Sequence, residues 1–406
     1  MTESHRPETP EEVGALVREA AERKTPIEVL GHGSKRAFGR PLKLEITLDL
    51  SRLSGIRLYE PNELVMTAGA GTPLAEIAAA LAQNRQELAF EPADLGPLYG
   101  GEADRGSIGG VFACNLSGPR RFKAGAARDH LLGFRGVSGW GESFKSGGRV
   151  VKNVTGYDLC KLMCGAFGTL AVMTEMSFKV LPRAETTRTL LLLGEDDDPA
   201  LARLRRAAAS ANEVSGLAHL PAAVAKRSAL GDVAGAGGAV TALRLEGPAP
   251  SVVARMASLR AEVAGAGPTA ELSDDDSRAL WREVRDASYF AGRDAALWRI
   301  SLTATAAAPA LAGLAAKLAG DTSWFYDWAG GLVWLEIAGA AQAETVRAAV
   351  AKAGGHATLI RAPLTERAVT AVFEPQAKPV AALSRRIKES FDPGHILNPG
   401  RMYAGL

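Results

Sequence analysis

The chain offers little for covalent cross-linking or for metal binding. Its 406 residues include three cysteines, Cys114, Cys160 and Cys164, an odd number that cannot all pair. The run 1–12 (MTESHRPETPEE) has no apolar core, so no secretory signal is expected, and the thiols are expected to stay reduced in the cytoplasm. Cys160 and Cys164 lie four apart and share a helix face. With no third or fourth ligand nearby they read as small packing residues, and no metal site is expected. A formal net charge of +2 is too close to neutral for a nucleic-acid binder. Aromatics make up 6% of the chain and are sparse between Arg120, Arg121, Arg128 and Arg135, which argues against an RNA-binding strip. Long apolar runs are missing too. The most apolar window, 300–320, is alanine-rich and contains Pro309 and Lys317, which suits a helix of a soluble domain better than a membrane span.

What the chain has is length and glycine. It is too long for one ordinary core, so two domains are expected, and 47% hydrophobic with 23% charged residues is a globular composition. Glycine is concentrated in 100–182, beside Ser107, Asn115, Ser117 and Thr169 and among the four arginines. Glycines let backbone N–H groups approach a ligand closely, and short polar side chains supply further hydrogen bonds. This is the composition of a backbone-lined site for a large, flat, phosphate-bearing cofactor.

Ahead of that stretch, Val13, Leu16, Val17 and Ala20 share one face of a helix over 11–24. A strand at 27–30 then runs into Gly31-His32-Gly33-Ser34-Lys35-Arg36, which reads as a phosphate cradle or as a simple turn. Strands are expected at 45–50 and 63–69, the second leading through Gly69-Ala70-Gly71-Thr72-Pro73 into a helix carrying Leu74, Ile77, Ala78 and Leu81. Ser107-Ile108-Gly109-Gly110 should open a short buried helix. Strands at 131–138, 149–152 and 169–181 and a helix at 158–167 complete the region.

From about 183 the glycine loops thin out. Strands at 187–194, 239–246, 295–303, 331–338 and 356–361 alternate with helices at 199–210, 250–264, 277–286, 308–319 and 342–354, a β-α-β type of α+β domain with two related halves. Trp281, Trp298, Trp324, Trp328 and Trp334 fall within it and read as core or subunit-interface packing. A helix at 378–390 precedes Phe391-Asp392-Pro393-Gly394-His395-Ile396-Leu397-Asn398-Pro399-Gly400-Arg401, a turn-rich tail expected to lock onto another surface, with His395 a turn residue.

The run Ser107-Ile108-Gly109-Gly110, Asn115-Leu116-Ser117-Gly118-Pro119-Arg120-Arg121, Arg128-Asp129-His130, Gly147 through Leu159 and Gly165-Ala166-Phe167-Gly168-Thr169-Leu170 resembles the FAD-binding domain of the vanillyl-alcohol-oxidase-like, PCMH-type flavoproteins. Within them it is similar to the FAD-binding subunits of bacterial glycolate dehydrogenase complexes, over nearly the whole chain. The resemblance implies an α+β fold: an FAD-binding domain at 1–182 made of two α/β subdomains (about 1–75 and 76–182), a ferredoxin-like α+β cap at 183–372, and a segment at 373–406 returning to the first domain. It implies FAD held by Gly31, His32, Gly33, Ser34 and Lys35 at the pyrophosphate. Ser107, Ile108, Gly109 and Gly110 would lie near flavin and phosphates, with Asn115, Ser117, Gly118 and Arg121 beside them. Gly168, Thr169 and Val172 would flank the ribityl or adenine end, and Asn398 would lie near the domain interface. Some relatives attach FAD covalently through a histidine in the first loop. Here His32 stands between two glycines rather than after a Gly-Gly pair, so non-covalent FAD is expected.

The same resemblance implies oxidation of a 2-hydroxy acid, glycolate foremost, by hydride transfer to flavin. The partners implied are a catalytic FAD subunit and an iron–sulphur subunit, and any membrane association would be peripheral and through them. The His-x-His metal motif of the catalytic subunit and its D-lactate dehydrogenase relatives does not occur here, since His219 and His356 stand far apart. An FAD-bearing scaffold or relay without substrate chemistry therefore stays open, as does an independent flavin oxidoreductase acting on another hydroxy acid. Candidate catalytic residues are Arg121, Arg128 and Arg401, for a substrate carboxylate, and Tyr157. Tyr157 and Asp158 read as a proton donor with its orienter, or Asp158 simply as a helix N-cap.

Overall fold

The computed structural model describes residues 3–149, 156–265 and 267–406. The strand expected at 149–152 falls, apart from Arg149, outside the described residues, as do Val150 to Thr155 of the glycine-rich run. The chain divides into two compact units. The first is Met1–Ser117, Gly125–Arg183 and Ala371–Leu406, and the second is Gly118–Ala124 with Ala184–Thr370.

The first unit begins with the helix Pro10–Arg23. Thr9 caps it, its side chain accepting from Glu12 N–H at 3.2 Å, and Lys24 ends it in the left-handed region. Its buried face is Val13, Val17 and Ala20. The strands Glu3–His5, Ile46–Asp49 and Ile27–Leu30 form a parallel three-stranded sheet in that spatial order. A five-stranded antiparallel sheet follows, ordered Ile56–Glu60, Val65–Gly69, Ala171–Lys179, Leu131–Ser138 and Ser143–Gly147. Phe112 from the helix Ile108–Cys114, Phe134, Met176 and Phe178 from this sheet, and Leu81 from the helix Leu74–Gln83 belong to one buried core.

The C-terminal segment adds a last connection to the small sheet. Ile27 N–H donates to Ile396 O at 2.8 Å and Asn398 N–H to Ile27 O at 3.0 Å. The anchor beneath is a buried ion pair at the end of the helix Lys378–Phe391. Lys388 Nζ donates to Asp392 Oδ2 and Thr169 O, both at 2.6 Å, and to Leu397 O at 2.9 Å. Asp392 also accepts from Ile396 N–H at 3.1 Å and Leu397 N–H at 2.8 Å. The tail is therefore held by buried, charge-assisted bonds rather than by apolar contact alone.

The second unit is one eight-stranded antiparallel sheet. Thr186–Leu193, Gly216–Leu220, Val240–Gly247 and Thr269–Leu272 make one half. Ala295–Ser301, Thr322–Asp327, Leu332–Ala338 and His356–Arg361 make the other. Each half reads β-α-β-β-α-β with spatial order fourth, first, third, second, the ferredoxin-like arrangement. The second strands of the two halves meet at His219 and Tyr326. Trp281, Trp298 and Trp334 are buried core residues. Trp281 sits where a Cβ at Gly216 would come within 2.8 Å of its ring, and its Nε1–H donates to Thr189 Oγ1 at 2.8 Å.

One boundary differs from the sequence reading. Residues 118–124, expected in the FAD-binding domain, pack with the second unit. Arg120 explains this: its guanidinium grips Glu246 through two bonds of 2.8 and 2.6 Å, and the half-buried Trp328 donates its Nε1–H to Gly118 O at 3.1 Å.

Candidate functional site

The first unit contains a cleft bordered by the loop 29–36 and by Ser107, Cys114, Phe167, Asn398 and Arg401. Its floor is the loop that follows the strand Ile27–Leu30. Gly33 takes φ +75°, a left-handed turn with open space above its Cα, and at Gly31 a Cβ would lie 2.5 Å from Ser107 Oγ. Only glycine lets the two segments approach so closely. The N–H groups of His32, Gly33, Ser34 and Lys35 donate to no protein acceptor among the described residues. The Lys35 side chain runs to the start of the helix Ile108–Cys114, its Nζ 3.3 Å from where a Cβ on Gly110 would sit. Its ammonium has one partner, Ser34 Oγ at 3.2 Å, and no carboxylate within ion-pair distance among the described residues. Burial pushes the Lys35 pKa down, against the pull of Cys114 and Asp94. Backbone donors without a protein acceptor beside a cation with no carboxylate partner are the ingredients of an anion cradle.

Ser107 borders the same floor and caps the helix Ile108–Cys114, accepting from Gly110 N–H at 3.4 Å. Opposite stands an apolar wall of Leu50, Ala113, Ala171 and Met173 with the edge-to-face pair Phe38 and Phe167, whose centroids are 5.0 Å apart. Asn398, in the left-handed region at φ 43°, closes one side. Its Oδ1 accepts Val29 N–H at 2.8 Å, and its Nδ2 donates to Val29 O at 3.1 Å and Phe167 O at 2.8 Å. A polar cradle joined to an apolar slot fits a cofactor with a phosphate-bearing half and a flat aromatic half.

Of the residues expected to bind the cofactor, Gly31, His32, Gly33, Ser34, Lys35, Ser107, Gly109, Gly110, Gly168 and Asn398 line this cleft. The others lie elsewhere. Ile108 and Val172 are core. Asn115 accepts Arg128 N–H at 3.1 Å and Ser117 accepts Ala127 N–H at 2.9 Å, so both hold the turn Ala127–His130. Thr169 donates its hydroxyl to Ala166 O at 2.6 Å. Gly118 and Arg121 belong to the second unit, where the Arg121 guanidinium lies 5.0 Å from the Trp328 ring centroid.

Among the candidate catalytic residues only Arg401 reaches the cleft. Its charge is engaged by the buried Glu28 at 2.7 Å and by Arg36 O at 2.9 Å, and Glu28 is also gripped by Arg36. Arg128 lies 3.9 Å from Asp129 on the surface, and Tyr157 is 91% exposed. Asp158 caps the helix Leu159–Met163, accepting Lys161 N–H at 3.2 Å.

His32 Nε2 lies 2.7 Å from Gly71 O; a carbonyl only accepts, so this nitrogen carries the proton. Burial raises the Cys114 thiol to about 11, despite Lys35 and Arg401 nearby. Cys160 and Cys164 are buried free thiols, raised mainly by burial to about 11 and about 12. The sequence reading missed Phe38, Cys114, Phe167 and Met173. Phe167 lies inside the run 165–170 with no role assigned to it, Phe38, Cys114 and Met173 stand in no motif, and only the fold brings the four to one cleft.

Comparison with known proteins agrees with this geometry. Residues 5–147 match the family model described as an FAD binding domain. The chain is 36% identical over 395 residues to glycolate oxidase subunit GlcE of Escherichia coli (strain K12), covering 96% of each. It is 29% identical over 195 residues to glycolate oxidase subunit GlcD of Bacillus subtilis (strain 168), covering 48% of this chain and 40% of that one. In fold it is similar to p-cresol methylhydroxylase with substrate bound, at a TM-score of 0.72 and 14% identity, over 98% of this chain and 88% of that one. The cofactor is FAD, and the loop 31–35 with Lys35 is suited to its pyrophosphate. No helix among the described residues is long and apolar enough to cross a membrane. The chain belongs to the FAD-dependent oxidoreductase family of glycolate oxidase subunit GlcE.

Proposed function

We propose that this protein is the FAD-bearing subunit of a multi-subunit complex that oxidises a small 2-hydroxy acid, glycolate foremost, to the corresponding 2-oxo acid. The observation that carries the reading is full-length similarity to a glycolate oxidase subunit, together with a cleft whose donors and apolar wall suit FAD. Bound FAD supplies the hydride acceptor. The chain's own residues do the holding. The N–H groups of 32–35 and the Lys35 ammonium bind the pyrophosphate, and Ser107 and the Gly109–Gly110 backbone border it. Asn398 fixes the strand end at Val29 and the turn at Phe167, so the polar and apolar halves of the cleft keep one spacing. Electrons leave through an iron–sulphur partner, a second FAD subunit completes the complex, and the chain works in the cytoplasm, meeting the membrane only through its partners. FAD is held without a covalent bond, a reading that rests on His32 standing between two glycines rather than after a Gly-Gly pair.

A second reading is an FAD-bearing relay or scaffold whose substrate chemistry lies in a partner. It is favoured by the absence from this chain of the His-x-His motif of the catalytic subunit. The visible spectrum of the purified chain under anaerobic addition of glycolate separates the two. Flavin bands that bleach support the first reading and bands that persist support the second. A protein that is colourless and takes up no added FAD refutes both.

A further inference from the structure

The second unit carries a cationic feature that neither the cofactor cleft nor the sheet's packing uses. Arg299 lies on the strand Ala295–Ser301 and is half-buried. Its guanidinium donates no hydrogen bond, and no carboxylate lies within ion-pair distance of it among the described residues. Its one close partner is the Trp328 indole, 5.2 Å from guanidinium carbon to ring centroid. Arg121 lies over the same ring at 5.0 Å. Each stacking contact is favourable, but two like charges on one ring repel. Burial lowers the Arg299 pKa to about 10, with Arg121 adding to the fall and Asp327 opposing it.

The backbone that presents the indole is strained as well. Trp328 and Ala329 are consecutive non-glycine residues in the left-handed region, at φ 52° and 54°. Asp327 Oδ1 accepts the Trp328 backbone N–H at 2.7 Å and Gly118 O accepts its indole N–H, so both the backbone and the indole tip are held. Strain of this kind persists where surrounding structure over-determines it, and it clusters at binding sites. An arginine fork with five donors and no protein acceptor, beside a second arginine and against a fixed aromatic face, lacks only an anion. A small carboxylate matches that fork geometry.

We propose that Arg299, with Arg121 beside it on Trp328, is a carboxylate-binding subsite carried by the second unit, and that its ligand is the anionic end of a small 2-hydroxy acid. Only the identity of the ligand rests on the proposed function. Arg299 acts here as a binding residue and does no proton chemistry.

The test is calorimetric titration of the FAD-loaded full chain with sodium oxalate, a carboxylate that offers no carbinol hydrogen to oxidise. Arg299→Gln is expected to weaken oxalate about 10–100-fold, the scale of a lost charged hydrogen-bonding partner. Its flavin spectrum should be unchanged. Arg299→Lys keeps the charge and loses the fork, and should fall between; it also covers the case in which Arg299→Gln does not fold. Arg385→Gln, an exposed arginine of the first unit, should bind as the parent does. Inorganic phosphate should not compete at equal concentration. The proposal is overturned if the parent binds no oxalate, if both Arg299 variants bind like the parent, or if phosphate competes as well as oxalate. If oxalate binding depends on Arg299 but glycolate leaves the flavin oxidised, the substrate falls and the subsite stands. If glycolate bleaches the flavin and oxalate binding ignores Arg299, the subsite falls and the function stands.

Discussion

Replacing Lys388 with methionine isolates what holds the C-terminal segment to the FAD-binding unit. The Lys388 side chain is 3% exposed and that of Asp392 is not exposed at all. Lys388→Met keeps most of the apolar stem and removes the ammonium. That leaves a buried carboxylate with only the Ile396 and Leu397 N–H groups, and it orphans the carbonyls of Thr169 and Leu397. Breaking a buried pair by deleting one partner costs about 3–5 kcal/mol, because the other charge stays uncompensated. In a unit of this size each kcal/mol is worth roughly 2–4 °C, so the FAD-binding unit should melt about 6–20 °C lower. The double variant Lys388→Met/Asp392→Asn should lose less than the sum of the single variants, since no bare charge remains. Differential scanning calorimetry of the holoprotein reads the transition, and FAD release followed by flavin fluorescence should track it, because the same segment carries Asn398 into the cleft. A single variant melting within about 2 °C of the parent would refute the reasoning, since the pair would then contribute only what an exposed one does.

Two further outcomes test the cradle and the second unit. Lys35→Met should raise the FAD dissociation constant about 10–100-fold, the scale of one charged hydrogen-bonding partner, with the melting temperature of the FAD-free chain little changed; an affinity within twofold of the parent removes Lys35 from the site. In the second unit, Glu246 is buried, which would raise its pKa, yet Arg244, Arg120 and Ser215 outweigh burial and hold the carboxyl well below the usual carboxylate range. A depressed carboxylate contributes stability that is present above its unfolded pKa of ~4.3 and is lost as pH falls through the folded value. Arg120→Gln raises the folded value toward the unfolded one, so the urea midpoint of that unit should be lower at neutral pH and should fall less on acidification below ~4.3 than in the parent; identical pH profiles would contradict the assignment.

The glycine-rich loops were legible because their chemistry is local. A strand ending at Leu30 and followed by Gly31-His32-Gly33-Ser34-Lys35 has to turn where it stops, and the turn's free N–H groups come with it. Periodicity likewise found the helix near 11–24, which has one face against a core, and the strands expected at 187–194 and 239–246 are present as apolar runs buried along most of their length. Ile56–Glu60, Gly216–Leu220 and Thr322–Asp327 were not seen. Gly216–Leu220 is buried along its whole length and has no alternation to read, and its glycine is there to admit Trp281. Nor do Phe38, Phe167 and Met173 announce a flavin slot, because each looks like any core residue until the fold sets it beside the cradle.

The arginines show the limit most clearly. Arg120, Arg121, Arg128, Arg299 and Arg401 have one side chain and five situations. Arg401 is neutralised by a buried glutamate, Arg120 by another, and Arg128 stands near an aspartate at the surface. Arg121 and Arg299 both lie over the Trp328 ring, and of these two it is Arg299 whose fork has no acceptor among the described residues. What separates a structural arginine from a binding one is whether a protein acceptor already fills its fork, and that depends on partners up to 373 residues away, as between Arg401 and Glu28. Spacing along the chain carries no trace of such pairing. Arg299 stands beside no glycine and in no motif, yet it is half-buried with no acceptor for its fork among the described residues, so a substrate carboxylate is better sought there, with Arg121 beside it, than at Arg120, Arg128 or Arg401.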